Sequence, residues 1–243
     1  MTGHAGQGRR TPATAGLLHT VPALATAFDD LIRASAADVR PIHVADAWLL
    51  DTARRDGVTP AVRDAVTAHV RHLESAGAAA VLVTCSSIGE AAEAAAERVG
   101  VPVIRVDAAM AGEAVTIASG RGARGRIAVL ATLSSTLGPT GRLVERAATA
   151  AHRSVEVTAE LVAGAAEAHD RGDRERVETL VAAAVSRAAA DADVVVLAQA
   201  SMARAAALSD VSVPVLSSPA GGVASLLRAL EERPRQRANH ESK

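Results

Sequence analysis

Aromatic side chains are almost missing from this chain of 243 residues, which has one Phe, one Trp and no Tyr. Without rings on which bases can stack, and with acidic and basic residues interspersed at a net charge of −1, the sequence argues against nucleic acid as a partner. Cysteine is scarce as well. A single Cys excludes an internal disulfide and fits a reducing cytoplasm, the expected location. No apolar run approaches the ~20 residues needed to cross a bilayer, so no membrane is expected as a partner. The opening residues MTGHAGQGRRTP lack the apolar stretch of a signal peptide. Residues 1–13 and 233–243 read as unstructured tails.

What the sequence does contain is Ala, Val, Leu and Ile, within a hydrophobic content of 49%. Small and branched side chains suit short helices laid closely on a parallel sheet. Strands are expected over 15–20, 39–44, 79–84, 103–106, 126–131, 154–157, 194–198 and 213–217. Unbroken runs such as VLV at Val81 and VVVL at Val194 imply strands covered on both faces. Helical stretches lie between them, over 59–76, 88–99, 137–151, 174–190 and 222–230. The alternation predicts an α/β fold.

The chain also repeats itself. GAAAVLVTCSSI at Gly77 matches DADVVVLAQASM at Asp191, and each is followed by a Val-Pro strand, VPVIRV at Val101 and VPVLSS at Val213. GLLHTVPAL at Gly16 pairs with VLATLSSTL at Val129. These matches predict two homologous lobes, each a roughly four-stranded parallel sheet flanked by helices. The first lobe is expected to comprise 14–118 plus 218–232, and the second 119–217.

Ligands of open parallel sheets bind beyond the carboxyl ends of the strands. The residues at those ends are His19 and Thr20; His43 and Asp46; Cys85, Ser86 and Ser87; Thr132, Ser134, Ser135 and Thr136; Glu160; Gln199 and Ser201; and Ser217 and Ser218. The set is rich in hydroxyls and poor in cations, which suits a carboxylate held by hydroxyls and backbone N–H groups. Cys85 is the sharpest feature. Ser87-Ile88-Gly89-Glu90 fits a capping box that would start a helix just after the thiol and lower its pKa, making it a base or nucleophile. The plainer alternative is a buried Cys acting as a small hydrophobe. The hydroxyls also fit plain helix caps, and His19 and His43 fit either proton carriers or strand-end hydrogen bonders. Asp46 is expected to orient His43 or cap the next helix, and Asp107 to cap a helix from Ala108. His69 and His72 share a helix face without a third ligand, so they read as a solvated face rather than a metal site. No phosphate-binding glycine motif follows a strand. No cofactor and no metal are expected.

VLVTCSSIGEAAE at Val81, VPVIRVDAAMAGEAV at Val101, RIAVLATLSSTLGPT at Arg126 and VVVLAQASMARAA at Val194, with LLHTVPAL at Leu17 and HVADAWLLD at His43, together resemble the aspartate/glutamate/hydantoin racemase superfamily. The resemblance runs from Ala15 to about Leu230. It implies two pseudo-symmetric lobes with the active site in the cleft between them, and a cofactor-independent enzyme acting at the carbon next to a carboxylate, often as a dimer or larger homo-oligomer. Racemases of that superfamily use two cysteines, one from each lobe, on opposite faces of the substrate carbon. Cys85 matches the first, and Gln199 stands where the second belongs, so this chain departs from the two-thiol pattern. Single-cysteine members of the superfamily include decarboxylases, whose thiol belongs to the other lobe, and a related isomerase adds a Cys nucleophile to a cis-diacid double bond. The resemblance makes Cys85 and Gln199 the candidate catalytic pair. Thr20, His43, Ser86, Ser87, Thr132, Ser135, Thr136 and Ser201 are the candidate ligands of a small carboxylate substrate. A racemase-like isomerase is the leading reading; a decarboxylase, a cis-trans isomerase or a non-catalytic carboxylate binder are the alternatives.

Overall fold

A computed structural model of the chain describes residues 12–36 and 38–238. Of the expected tails over 1–13 and 233–243, residues 1–11 and 239–243 lie outside the described residues. Ala13 already pairs in the first strand, and the last helix continues through 233–238.

The first half follows the order β1 (Ala13–His19), α1 (Leu24–Ser35), β2 (Val39–Ala45), α2 (Ala47–Asp56), α3 (Pro60–Ser75), β3 (Ala80–Val83), a 3₁₀ turn (Ser86–Ile88), α4 (Gly89–Ala96), β4 (Val103–Arg105) and α5 (Ala108–Ala118). The second half repeats it: β5 (Arg126–Ala131), α6 (Ser134–Ala150), β6 (Glu156–Leu161), α7 (Ala165–Asp170), α8 (Arg174–Ala189), β7 (Val194–Leu197), a 3₁₀ turn (Ala200–Met202), α9 (Ala203–Ala206), β8 (Val215–Ser217) and α10 (Ser218–Ala238). The strands form two four-stranded parallel sheets of identical topology, β2-β1-β3-β4 and β6-β5-β7-β8. The fold is therefore the α/β arrangement of two parallel sheets that the sequence implied.

Every residue of β3 and β7 is buried, which accounts for their unbroken Val/Leu/Ala runs. The edge strand β6 differs. Five of its six residues are exposed, and it starts two residues later than the expected 154–157 and runs four residues past it, to Leu161. An edge strand with one open side needs no apolar run, so Thr158 and Glu160 disguised its second half.

Apolar packing on both faces of each sheet makes the core. In the first lobe α2, α3 and α4 cover Leu18, Val81 and Val83, while α1 and α10 cover Leu17, Ala80 and Leu82. In the second lobe α7, α8 and α9 cover Ala128, Leu130, Val195 and Leu197, while α5 and α6 cover Ile127, Val129, Val194 and Val196. The last helix of each half thus packs on the sheet of the other half: α5 follows β4 yet lies on the second sheet, and α10 follows β8 yet lies on the first. The close seat of α10 needs Gly222, where a Cβ would come 2.9 Å from the Val106 carbonyl oxygen. Among the described residues no helix is long and apolar enough to cross a membrane.

Candidate active site

The two sheets meet where the residues that follow β3 bond those that follow β5. Beyond β3, the Thr84 backbone N–H donates to the Leu18 carbonyl at 3.0 Å, and the chain then extends through Cys85 into the Ser86–Ile88 turn. Cys85 is partly exposed while Thr84, Ser86 and Ser87 are buried. The hydroxyls of Thr20 and Ser87 and the backbone N–H groups of Ser87 and Ile88 are directed at its sulfur. Such donors favour thiolate, but the desolvation around the sulfur outweighs them, and the thiol pKa is pushed above its ordinary value. The lowered pKa expected from sequence is therefore corrected. No α-helix starts directly at the thiol; a 3₁₀ turn intervenes, and α4 begins only at Gly89. The expected capping box does not form either. Ile88 is the N-cap of α4 without a side-chain bond, and the Ser87 hydroxyl is engaged instead by the sulfur and, across the cleft, by α6.

Its partners there are Thr136 at 2.9 Å and Ser135 at 3.3 Å, both in the first turn of α6. Arg142 donates to Glu90 at 2.7 and 3.0 Å, and Arg146 to Glu93 at 2.9 Å, farther along the same seam. Ser87, Ser135 and Thr136, three of the candidate ligands, thus stand together and tie α6 to the turn after Cys85.

Gln199 occupies the place of Cys85 in the second lobe. The Ala198 N–H donates to the Leu130 carbonyl at 2.9 Å, as Thr84 does to Leu18. Cys85 has φ −128° and ψ 119°, and Gln199 has φ −126° and ψ 137°; each then opens a 3₁₀ turn. The Gln199 Oε1 accepts from the Thr132 backbone N–H at 2.6 Å and from the Thr132 hydroxyl at 3.0 Å. Thr132 therefore bears the same relation to Gln199 that Thr20 bears to Cys85. With its oxygen held, the amide of Gln199 retains its N–H groups as donors.

The histidines form a separate array. His19 is fully buried against Phe28, with ring centroids 5.7 Å apart. Its Nδ1 lies 2.9 Å from the Thr84 hydroxyl and its Nε2 2.9 Å from His43 Nδ1, the two rings being stacked. Thr84 gives its own proton to the Leu18 carbonyl at 3.1 Å. It follows that neutral His19 donates from Nδ1 to Thr84 and accepts at Nε2 from His43. Burial first, and then His43, lowers the His19 pKa to about 4. The second nitrogen of His43 faces Asp29 at 3.7 Å. The structure so places His43, a candidate ligand, in a strand-end array with His19 and Asp29 rather than on the sulfur.

Asp46 does not orient His43. It caps α2 through the Trp48 N–H at 3.0 Å and pairs with His69 at 2.8 Å, so His69 is engaged rather than solvated. Ser86 is buried beside the thiol, whereas Ser201 is exposed. Glu160 pairs with Arg187, and Ser218 is buried with an unpartnered hydroxyl. No group of three metal-ligating side chains occurs among the described residues.

Sequence reasoning missed Arg105. It is buried and bidentate to Asp107, with Nε–Oδ1 and Nη2–Oδ2 both 2.9 Å, and it reaches Glu93 at 2.8 Å. Burial alone would lower its pKa; the two carboxylates hold it above its ordinary value. Asp107 therefore does not cap α5, since its oxygens are committed to the guanidinium. Gly89 makes room for the planar group, because a Cβ there would clash with Arg105. An Arg closing a buried Val-Pro strand, with Asp two residues on, was the available signal.

The model of the Asp/Glu/hydantoin racemase family matches residues 14–226. Among curated protein sequences, none matches this one. Several solved structures share the fold. The glutamate racemase isoform RacE1 of Bacillus anthracis is 17% identical, with 92% of this chain and 84% of that chain covered and a TM-score of 0.69. The allantoin racemase of Pseudomonas fluorescens is 15% identical, covering 90% and 91%, with a TM-score of 0.63. An arylmalonate decarboxylase is 18% identical, covering 89% and 92%, with a TM-score of 0.55. At these identities the likeness is one of fold.

Proposed function

The chain belongs to the Asp/Glu/hydantoin racemase family, and from that premise we propose that it is a cofactor-independent enzyme that moves a proton at the carbon next to a carboxylate, with Cys85 as its acid and base. The observation that carries the reading is the setting of Cys85: a half-buried residue beyond a buried parallel strand, whose desolvated sulfur faces hydroxyl and backbone donors beside the seam between the sheets. The amide N–H groups of Gln199, whose oxygen Thr132 holds, supply donors for a substrate carboxylate and for the enediolate oxygen that develops beside it. Stabilising that charge is the harder half of the reaction, because a carbon next to a carboxylate is a very weak acid.

Gln199 favours a one-sided version of this chemistry. A carboxamide has no titratable proton, so it can hydrogen-bond an enediolate but cannot remove or return a proton on the far face. The raised pKa keeps Cys85 a thiol near neutral pH, the form that gives a proton away. In a decarboxylation the carbon–carboxylate bond breaks, carbon dioxide leaves, and its electron pair stays as the enediolate. The Cys85 thiol then protonates that carbon and regains its proton from solvent.

The test is proton NMR in deuterium oxide over a panel of D- and L-aspartate, D- and L-glutamate, 2-phenylpropionate and phenylmalonate. Deuterium entering the carbon next to the carboxylate, with or without loss of carbon dioxide, is the expected result. No incorporation into any of them, with Cys85 still protected from alkylation, would leave a carboxylate-binding protein; no incorporation and no protection would overturn both readings.

A further inference from the structure

The pseudo-twofold relation of the lobes gives each contact across the cleft a counterpart, and the counterparts are unequal. The Thr136 N–H bonds the Leu133 carbonyl at 3.1 Å, and the Leu24 N–H bonds the Val21 carbonyl at 3.0 Å, which aligns the start of α6 with the start of α1. Likewise Ile88 N–H to Cys85 carbonyl matches Met202 N–H to Gln199 carbonyl, which aligns the two 3₁₀ turns. On the first seam Ser87 is 2% exposed and bonded to Ser135 and Thr136. On the second seam Ser201 stands where Ser87 does, but Ala23 and Leu24 stand where Ser135 and Thr136 do. Neither of these can bond a hydroxyl through its side chain, and Ser201 is exposed.

The charges tell the same story with one exception. Glu93 and Arg146 of the first seam have Ala207 and Ala34 as counterparts, so that pair has no equivalent. Glu90 and Arg142 have Arg204 and Asp30, a pair of opposite charges with the signs exchanged. Arg204 here reaches Glu178 of its own lobe at 3.3 Å with its side chain 83% exposed, and Asp30 lies exposed beside Arg33.

From this asymmetry we propose that the Ser87–Thr136 seam is the fixed hinge between the lobes, and that substrate reaches Cys85 through the opposite seam, between the start of α1 and the turn after Gln199. Asp30 and Arg204 are positioning residues that draw this mouth closed. The proposal rests on the reading of Cys85 as the reacting group. A single exposed ion pair is weak, enough to favour closure and too little to prevent release. A seam with two ion pairs and buried hydroxyl contacts suits a hinge, and one with a single unformed pair suits a gate.

The experiment compares two double variants, Asp30→Cys with Arg204→Cys and Glu90→Cys with Arg142→Cys. Each is oxidised to its disulfide with diamide, freed of oxidant and treated with iodoacetamide, and the rate of Cys85 modification is followed by peptide mass spectrometry. The 30–204 bridge is expected to form and to slow modification of Cys85 by about tenfold or more, with recovery after reduction. The 90–142 bridge is expected to leave the rate within about twofold of wild type. Failure of the 30–204 bridge to form, an unchanged rate once it has formed, or equal slowing by both bridges overturns the proposal. Because the readout is access to the sulfur rather than turnover, it is separable from failure in the deuterium test.

Discussion

Cys85 and Gln199 sit at the same place in the two halves of the molecule, and each is served by the threonine that ends the neighbouring central strand. Thr20 directs its hydroxyl at the sulfur, and Thr132 binds the amide oxygen through both hydroxyl and backbone N–H. One half of the cleft thus carries an ionisable proton carrier. The other carries a neutral donor in an equivalent frame.

Replacing Gln199 with Cys restores a second thiol on a backbone already set for it. Wild type is expected to exchange the hydrogen of a turned-over substrate with deuterium on one face only. Gln199→Cys is expected to add inversion at that carbon. Chiral chromatography of the product formed in deuterium oxide reads the difference; an unchanged stereochemical course would remove the two halves' equivalence from the mechanism.

Thr20→Val keeps the shape and deletes the hydroxyl. A hydrogen bond to a charged group is worth about 1.5 kcal/mol or more, so the thiolate population at a fixed pH should fall about tenfold. The rate of Cys85 alkylation by iodoacetamide at pH 8 should fall with it. Its pH profile should move upward, since the lost donor had opposed the desolvation that already raises this thiol.

His19 makes the fold sensitive to acid. Its folded pKa, about 4, lies below the ordinary 6.5, so the unfolded chain binds the extra proton between those values. The contribution is fully present above pH 6.5 and is lost as pH falls through 4. One proton over that window corresponds to roughly 3 kcal/mol. Urea unfolding at pH 7 and pH 4.5 should show this loss in wild type and a smaller one in His19→Gln.

Arg105→Met leaves Asp107 fully buried without its guanidinium. Loss of one partner of a buried pair costs about 3–5 kcal/mol, whereas replacing both with apolar groups costs far less. Urea unfolding should therefore show a large loss in Arg105→Met and substantial recovery in Arg105→Met with Asp107→Leu.

The sequence displayed the central strands most clearly, because β3 and β7 are buried on both faces and read as unbroken apolar runs. The internal match of TCSSI with AQASM also located the equivalence of Cys85 and Gln199, and its register holds in the backbone hydrogen bonds. Side-chain destinations were less legible. Ser87 satisfies a capping pattern, yet its hydroxyl is captured by Thr136 from a segment distant in sequence. Asp107 sits at an N-cap position, yet a buried Arg105 outbids the helix start, since leaving that guanidinium unpaired would cost more than an uncapped turn. The placement of α5 on the second sheet was hidden for the same reason: a helix that is apolar on most sides does not announce which sheet it covers.

The most direct measurement compares wild type with Cys85→Ala in the deuterium-incorporation assay, on whichever acid of the panel wild type turns over, with folding checked by urea unfolding. If Cys85 is the proton carrier, the folded variant loses incorporation by about a hundredfold or more. A variant that incorporates deuterium at the wild-type rate would contradict the account.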